Sequence, residues 1–231
     1  MRSSSSATRL LSLVVVAAAL IGWTTVAQAI PVPLAPAGTV ASTPVAGPPA
    51  GAIPVNSTTQ NFASQDMPLN PNGTSFTGQL TSSVWANYPG NLFGPGALTF
   101  TYLLTNNGPD SLHRLTTTNF AGYLTDVEHD IAFSSPAGIA ASSVDRDVTG
   151  KIIGWNYDVN PRLPGGSISA LLIIHSNATQ YAPSLASVIN SATAGVLSYG
   201  PAPIPEPATL GALAGIVGLA VIARTRRAVR R

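Results

Sequence analysis

The stretch ALTFTYLLTNNGPD, residues 97–110, decides between a helical and a β-sheet protein. Leu98, Phe100, Tyr102 and Leu104 recur two apart, with Thr99, Thr101 and Thr105 between them. A period of two sends the first set to one face of an extended chain and the threonines to the other, and aromatic, aliphatic and β-branched residues suit a pleated, half-buried surface. The run ends at Asn106-Asn107-Gly108-Pro109-Asp110, residues that favour tight turns. The stretch therefore reads as a strand followed by a turn.

The same pattern extends outward. SISALLIIHS (167–176) places Ile168, Ala170, Leu172 and Ile174 on one face, and its other face, with Leu171 and Ile173, is apolar too, which predicts a strand buried on both sides. KIIGWNYDV (151–159) aligns Ile153, Trp155, Tyr157 and Val159, and LTSSVWANY (80–88) aligns Val84, Ala86 and Tyr88. Turn chemistry separates these runs: NPNG, PGNLFGPG, SSPAG, DVTGK and LPGG. Between the two ends, only APSLASVINS (182–191) suggests a turn or two of helix. Many short strands at this spacing predict an all-β, antiparallel sandwich over residues 61–200, of either immunoglobulin-like or jelly-roll arrangement. Trp85, Phe100, Phe120, Phe133 and Trp155 are the expected core aromatics.

Charge is scarce: 9% of the 231 residues are charged, against about 25% in an average soluble domain. Cysteine is absent, so no disulfide framework exists. The formal net charge of +2 comes from the two ends. Residues 61–200 hold Arg114, Arg146, Lys151 and Arg162 against Asp66, Asp110, Asp126, Glu128, Asp130, Asp145, Asp147 and Asp158, a net of −4. A body of that sign gives no reason to expect a nucleic-acid partner.

The N-terminal segment MRSSSSATRLLSLVVVAAALIGWTTVAQAI has the order of a secretory signal peptide: Arg2 and Arg9, an apolar run over 10–22, then small Ala27 and Ala29 flanking Gln28. The run is short of the ~20 residues that span a bilayer, so residues 1–29 are expected to form a signal helix cleaved by signal peptidase after Ala29. Residues 30–60, rich in Pro, Ala and Gly and without charge, predict an extended or irregular linker.

At the other end, residues 201–231 contain Ile204-Pro205-Glu206-Pro207, an uncharged run over 208–223, and Arg224, Arg226, Arg227, Arg230 and Arg231. As a helix, the run would measure about 24 Å, just under the hydrocarbon core, and the arginines would hold its end on the cytoplasmic side. Two prolines stop the helix from continuing upstream. A plain C-terminal anchor on a proline-rich stalk is one reading. The motif, its order and its position also resemble the PEP-CTERM sorting signal of bacteria with an outer membrane, which implies recognition of Pro205, Glu206 and Pro207 by an exosortase-type membrane transpeptidase. The resemblance further implies a membrane-anchored precursor that resides transiently in the inner membrane through a transmembrane helix over 208–223. The expected destination is the cell envelope, cell surface or extracellular matrix, with extracellular polysaccharide as a partner. FTYLLTNNGPDS and the later LPGGSISALLII, through Thr105–Asp110 and Pro164–Gly166, resemble immunoglobulin-like repeats of bacterial surface proteins.

Chemistry-bearing clusters are sparse. TDVEHD (125–130) gathers Asp126, Glu128, His129 and Asp130, which would suit a metal or an acid–base pair if they converged, but consecutive strand residues diverge, so a solvated loop or edge is expected. VDRDVTGK (144–151) places Asp145 and Asp147 before Gly150, a fragment of a calcium loop without its closing glutamate, and an exposed hairpin turn is expected. The histidines are His113, His129 and His175, and no G-x-S-x-G, H-E-x-x-H or phosphate loop is present. No catalytic residue, metal ligand or cofactor is assigned. The expectation is a structural or adhesive exported protein; a carbohydrate-binding module is the alternative, and a secreted hydrolase stands behind it. An exposed aromatic row would favour sugar binding, and a cleft joining histidine, carboxylate and serine would favour an enzyme.

Overall fold

The computed structural model describes residues 33–48, 53–64, 76–157 and 162–203. The expected signal segment with Ala27 and Ala29, the expected sorting motif Pro205-Glu206-Pro207 and the expected transmembrane run over 208–223 lie outside the described residues. Among the described residues there is no helix, and twelve strands form two six-stranded sheets. The strands are β1 (Thr39–Val40), β2 (Thr43–Pro44), β3 (Ile53–Ala63), β4 (Thr77–Ala86), β5 (Leu98–Asn106), β6 (Arg114–Thr117), β7 (Thr125–Asp130), β8 (Ser143–Arg146), β9 (Ile153–Asn156), β10 (Leu171–Ser176), β11 (Tyr181–Ile189) and β12 (Thr193–Pro201). One sheet runs β2-β7-β10-β5-β4-β3 and the other β1-β8-β9-β6-β11-β12. All strand pairs are antiparallel except β2 with β7.

The predicted alternation places the core. Phe100, Tyr102 and Leu104 of β5, Leu80 and Val84 of β4, and Leu172 and Ile174 of β10 pack with Leu115, Val144, Ile153, Trp155 and Val188 of the other sheet. Phe120 closes edge-on against Phe100, with ring centroids 5.8 Å apart. The two layers are also joined by hydrogen bonds: the Tyr102 hydroxyl donates to the Tyr199 carbonyl at 2.6 Å, and the Tyr199 amide donates to the Ser82 hydroxyl at 3.0 Å. β10 is buried on both faces, as its continuous apolar run predicts.

The two turn motifs that resemble surface-protein repeats meet at one residue. Asn106, fully buried, donates from Nδ2 to the carbonyls of Asp110 (2.7 Å) and Leu163 (3.0 Å) and accepts the Gly108 amide at Oδ1 (3.1 Å). Its backbone N–H bonds Ser167 and its carbonyl accepts Gly166. A β-carbon at residue 165 would strike the Gly108 carbonyl, so the two turns approach this closely only with glycine there.

Four expectations need correction. The segment 30–60 is not a linker throughout: where it is described it holds β1, β2 and most of β3, and Leu34 is buried in the core. All three strands lie at sheet edges, where a proline's missing N–H deprives no neighbour of a bond, so proline content disguised them. Residues 182–191 form no helix but run mostly within β11: Ser184, Ala186 and Val188 point inward and leave Leu185 outside, because the inner space takes small residues. TDVEHD is not a solvated loop or edge but β7, buried along its length between β2 and β10. Phe133 is 44% exposed rather than core, and Trp85 is half-buried, its Nε1 donating to the Thr101 hydroxyl at 2.8 Å.

Arg146 fastens these pieces together. It is 4% exposed, and all five guanidinium N–H groups find acceptors. Nε donates to the Gly150 carbonyl, Nη1 to the Leu34 carbonyl and Thr125 hydroxyl, and Nη2 to the Phe120 and Tyr123 carbonyls, at 2.6–3.0 Å. Removing it withdraws a donor from each of five acceptors in a buried site. Arg146→Met should cost about 3–5 kcal/mol, as for other broken buried charge networks, and Arg146→Lys should also destabilise, since one ammonium cannot span the fork. Denaturant unfolding measures both, and a Lys variant as stable as the parent would refute the five-bond account. A fragment starting at residue 61 should melt lower than one starting at residue 31, or fail to fold, because it lacks Leu34 and the edge strands; equal melting curves would count against this.

Candidate functional site

On the outer face of the first sheet, pairing of β7 with β10 and β10 with β5 sets Glu128, His175 and Thr99 side by side. The Thr99 hydroxyl lies 2.8 Å from His175 Nδ1, and His175 Nε2 lies 2.9 Å from Glu128 Oε2. Asn91 Nδ2 donates to the Thr99 oxygen at 3.2 Å, so the bonds link Asn91, Thr99, His175 and Glu128 in a row. Hydroxyl, imidazole and carboxylate stand in the order of an acyl-transfer triad. Yet Thr99 and His175 are wholly buried, and Tyr88 lies over the histidine with ring centroids 5.3 Å apart. Asn91 also donates to the Leu98 and Ser176 carbonyls. The chain thus fastens the 87–96 loop onto the sheet and leaves the hydroxyl no route to a substrate. Burial, with Glu128 and Asp130 nearby, pushes the Tyr88 hydroxyl well above its ordinary pKa and keeps it neutral.

Of the remaining members of TDVEHD, Asp126 pairs with His175 in the register of β7 and β10 and shares the face of Glu128, as does Asp130. His129 faces away from Glu128, with Nδ1 at 2.8 Å from the Ser42 hydroxyl, and burial lowers its pKa against the opposing pull of Asp130. Asp130 accepts the Ala132 amide. Asp145 and Asp147 also engage protein donors. Asp145 receives Arg114 through two nitrogens (2.5 and 2.6 Å) and Asn156 Nδ2 at 2.6 Å. Asp147 accepts the Ile152 amide and the Thr149 hydroxyl, which closes the turn before β9. Among the described residues no three acid or histidine side chains converge on a cation site. Nor is there an exposed aromatic row among them; Phe133 is the exposed aromatic.

The open site lies on the second sheet. A cleft of about 280 Å³ is lined by His113, Arg114, Asn156, Tyr157, Arg162, Ile189 and Asn190. Register explains the gathering: Arg114 pairs across to Asn156 on one side and Ile189 on the other, while Leu115 and Trp155 turn into the core. The His113 amide donates to the Ile189 carbonyl and the Tyr157 amide to the His113 carbonyl, which pins the cleft's wall. Arg114 lies flat across β9 to reach Asp145 and Asn156; a β-carbon at Gly154 would occupy the guanidinium's place. His113 Nε2 is buried without a hydrogen-bond partner, and burial together with the charge of Arg162 lowers its pKa, so the ring is neutral at pH 7. Arg162 is exposed and makes no hydrogen bond or ion pair among the described residues. Sequence reasoning missed this cleft. Its signal was that two of the body's four cations and one of its histidines belong to it, but strand register, not chain proximity, unites them.

Arg114 holds the Asp145 carboxyl below the ordinary carboxylate range, with Asn156 helping and burial opposing. A carboxyl with a depressed folded pKa contributes stability above its unfolded pKa, near 4, and loses it as pH falls through the folded value. Asp145→Asn should therefore lower the melting midpoint by about 2–4 °C at pH 7, the scale of a partly exposed pair, and by progressively less below pH 4. Calorimetry across pH 3–7 checks this; a difference that stays constant to pH 3 would exclude the ion pair as its source.

No family model matches the chain, and no curated protein or solved structure matches it either.

Proposed function

We propose that this chain is an exported protein sorted through its C-terminal segment to the cell surface or extracellular matrix, where the sandwich has a structural or adhesive role. The observation that carries the reading is the order Pro205-Glu206-Pro207, uncharged run, arginine cluster, behind an N-terminal segment built like an export signal. Each part has a physical task. On this reading the arginines hold the C-terminal end inside, the short apolar run retains the precursor in the inner membrane, and Pro205-Glu206-Pro207 is the motif the transpeptidase recognises. Within the sandwich class we favour the immunoglobulin-like arrangement, supported by the way Asn106 joins the two repeat-like turns. The sealed Thr99–His175–Glu128 chain supports a body that is not organised around catalysis.

Glu206→Ala should leave export intact and trap a membrane-bound precursor that keeps Arg231. Removing residues 208–231 should release exported but unsorted protein. Fractionation of the native host with mass spectrometry of the C-terminus distinguishes these. A surface form of the parent protein that still ends in Arg231 would make the segment a permanent anchor and end the sorting interpretation.

A further inference from the structure

We propose that the cleft formed by His113, Arg162, Ile189 and Asn190 binds the acidic sugar residue of a polysaccharide, with the sugar's carboxylate on Arg162 and its ring over Ile189. The proposal names the partner chemistry of the surface protein inferred above, and it rests on that reading only for the source of the sugar.

Charge is the first argument. The body is net acidic, with four cations against eight anions over residues 61–200, yet among the described residues both ionised side chains that line this cleft are arginines. They are not equivalent. Arg114 is neutralised by Asp145 through two bonds and stacked over Gly154, whereas Arg162 is exposed and makes no bond among the described residues. One guanidinium without a partner among the described residues matches one carboxylate through its planar fork. A dianionic phosphate would call for the second arginine, which Asp145 already holds.

The neutral groups complete the fit. Among the described residues, His113 Nε2 and the Tyr157 hydroxyl are buried without a hydrogen-bond partner, and both residues line the cleft; a buried polar atom left without a bond is costly. Asn190 makes no side-chain hydrogen bond among the described residues, so its amide is available to hydroxyls. Ile189 supplies an apolar patch for the C–H face of a sugar ring. At about 280 Å³ the cleft is at the small end of ligand sites, suited to one residue of a chain that continues into solvent. Asn156 is already committed to Arg114, Asp145 and Ser143, so it shapes the site without binding in it.

The test is calorimetric titration of the full chain, purified in detergent, with trigalacturonate and trimannuronate, each beside its methyl ester. The expected result is that one or both acids bind, that esterification weakens binding at least tenfold, and that Arg162→Gln does the same. Asn190→Ala should weaken binding severalfold, while Lys151→Gln, outside the cleft, should leave it unchanged. All variants alter exposed or half-buried positions, and a thermal melt confirms their folding. The proposal is overturned if neither acid binds at millimolar concentration, if the esters bind equally, if Arg162→Gln is without effect, or if acetate alone binds as tightly as the trisaccharides. C-terminal processing does not enter this readout, so failure here leaves the sorting reading standing, and failure of sorting leaves the cleft's affinity to be measured as it is.

Discussion

Arg146 is the constraint on which the rest of the body depends. It belongs to β8, a strand of four residues, yet it is bonded to the carbonyl of Leu34, to the start of β7 at Thr125, to the loop carbonyls of Phe120 and Tyr123, and to the turn at Gly150. None of these acceptors is a carboxylate. A buried cation normally needs an anion beside it; here five dipoles take the N–H groups, and the charge of nearby Asp147 favours the ionised form. Burial lowers the pKa of the guanidinium, and it nonetheless stays charged because arginine starts so high. The short strands around it would have little to fix their relative positions without this hub.

The same economy of charge runs through both sheets. Where many proteins would place ion pairs on a solvated face, this one pairs hydroxyls across strands: Ser57 with Ser83 at 2.8 Å and Thr59 with Thr81 at 2.9 Å along β3 and β4. Such cross-strand pairs add a few tenths of a kcal/mol each and are insensitive to salt. Buried polar groups follow the rule of full satisfaction at Asn106, Arg146 and His175. Among the described residues the Tyr88 hydroxyl, His113 Nε2, Trp155 Nε1, the Tyr157 hydroxyl and the Ser198 hydroxyl depart from it, and two of these residues, His113 and Tyr157, line the open cleft.

How much of this was legible follows from which interactions are local. The period of two in β4, β5, β9 and β10 encodes their faces directly, and the double burial of β10 is visible in Leu171 and Ile173. β11 was misread because its inward residues, Ser184, Ala186 and Val188, are small while Leu185 points out; inverted hydrophobicity defeats a periodicity argument. β2 and β3, which carry Pro44 and Pro54, and β1 beside them were hidden by a proline-rich segment that their edge positions tolerate, and edge position is a fact of topology. β7 was misread because charge suggested exposure, while Glu128 meets its histidine 47 residues away, across a strand pairing no local pattern announces. The cleft was invisible for the same reason: β6, β9 and β11 bring it together only through their register.

These two kinds of polar contact respond differently to salt and acid. The bonds of Arg146 are buried and its acceptors are carbonyls and a hydroxyl, which carry no titrating charge, so ionic strength and acidity leave them intact. The Arg114–Asp145 pair is about one-quarter exposed and one partner is a carboxylate, so it weakens in acid and in salt. It is also the pair that neutralises Arg114 beside the cleft. When Asp145 is protonated, Arg114 regains a free charge next to Arg162, and the cleft becomes more cationic while the core is unaffected. The fold therefore separates what must stay constant from what can respond: the architecture rests on a cation held by neutral dipoles, and the surface site rests beside a cation held by an acid.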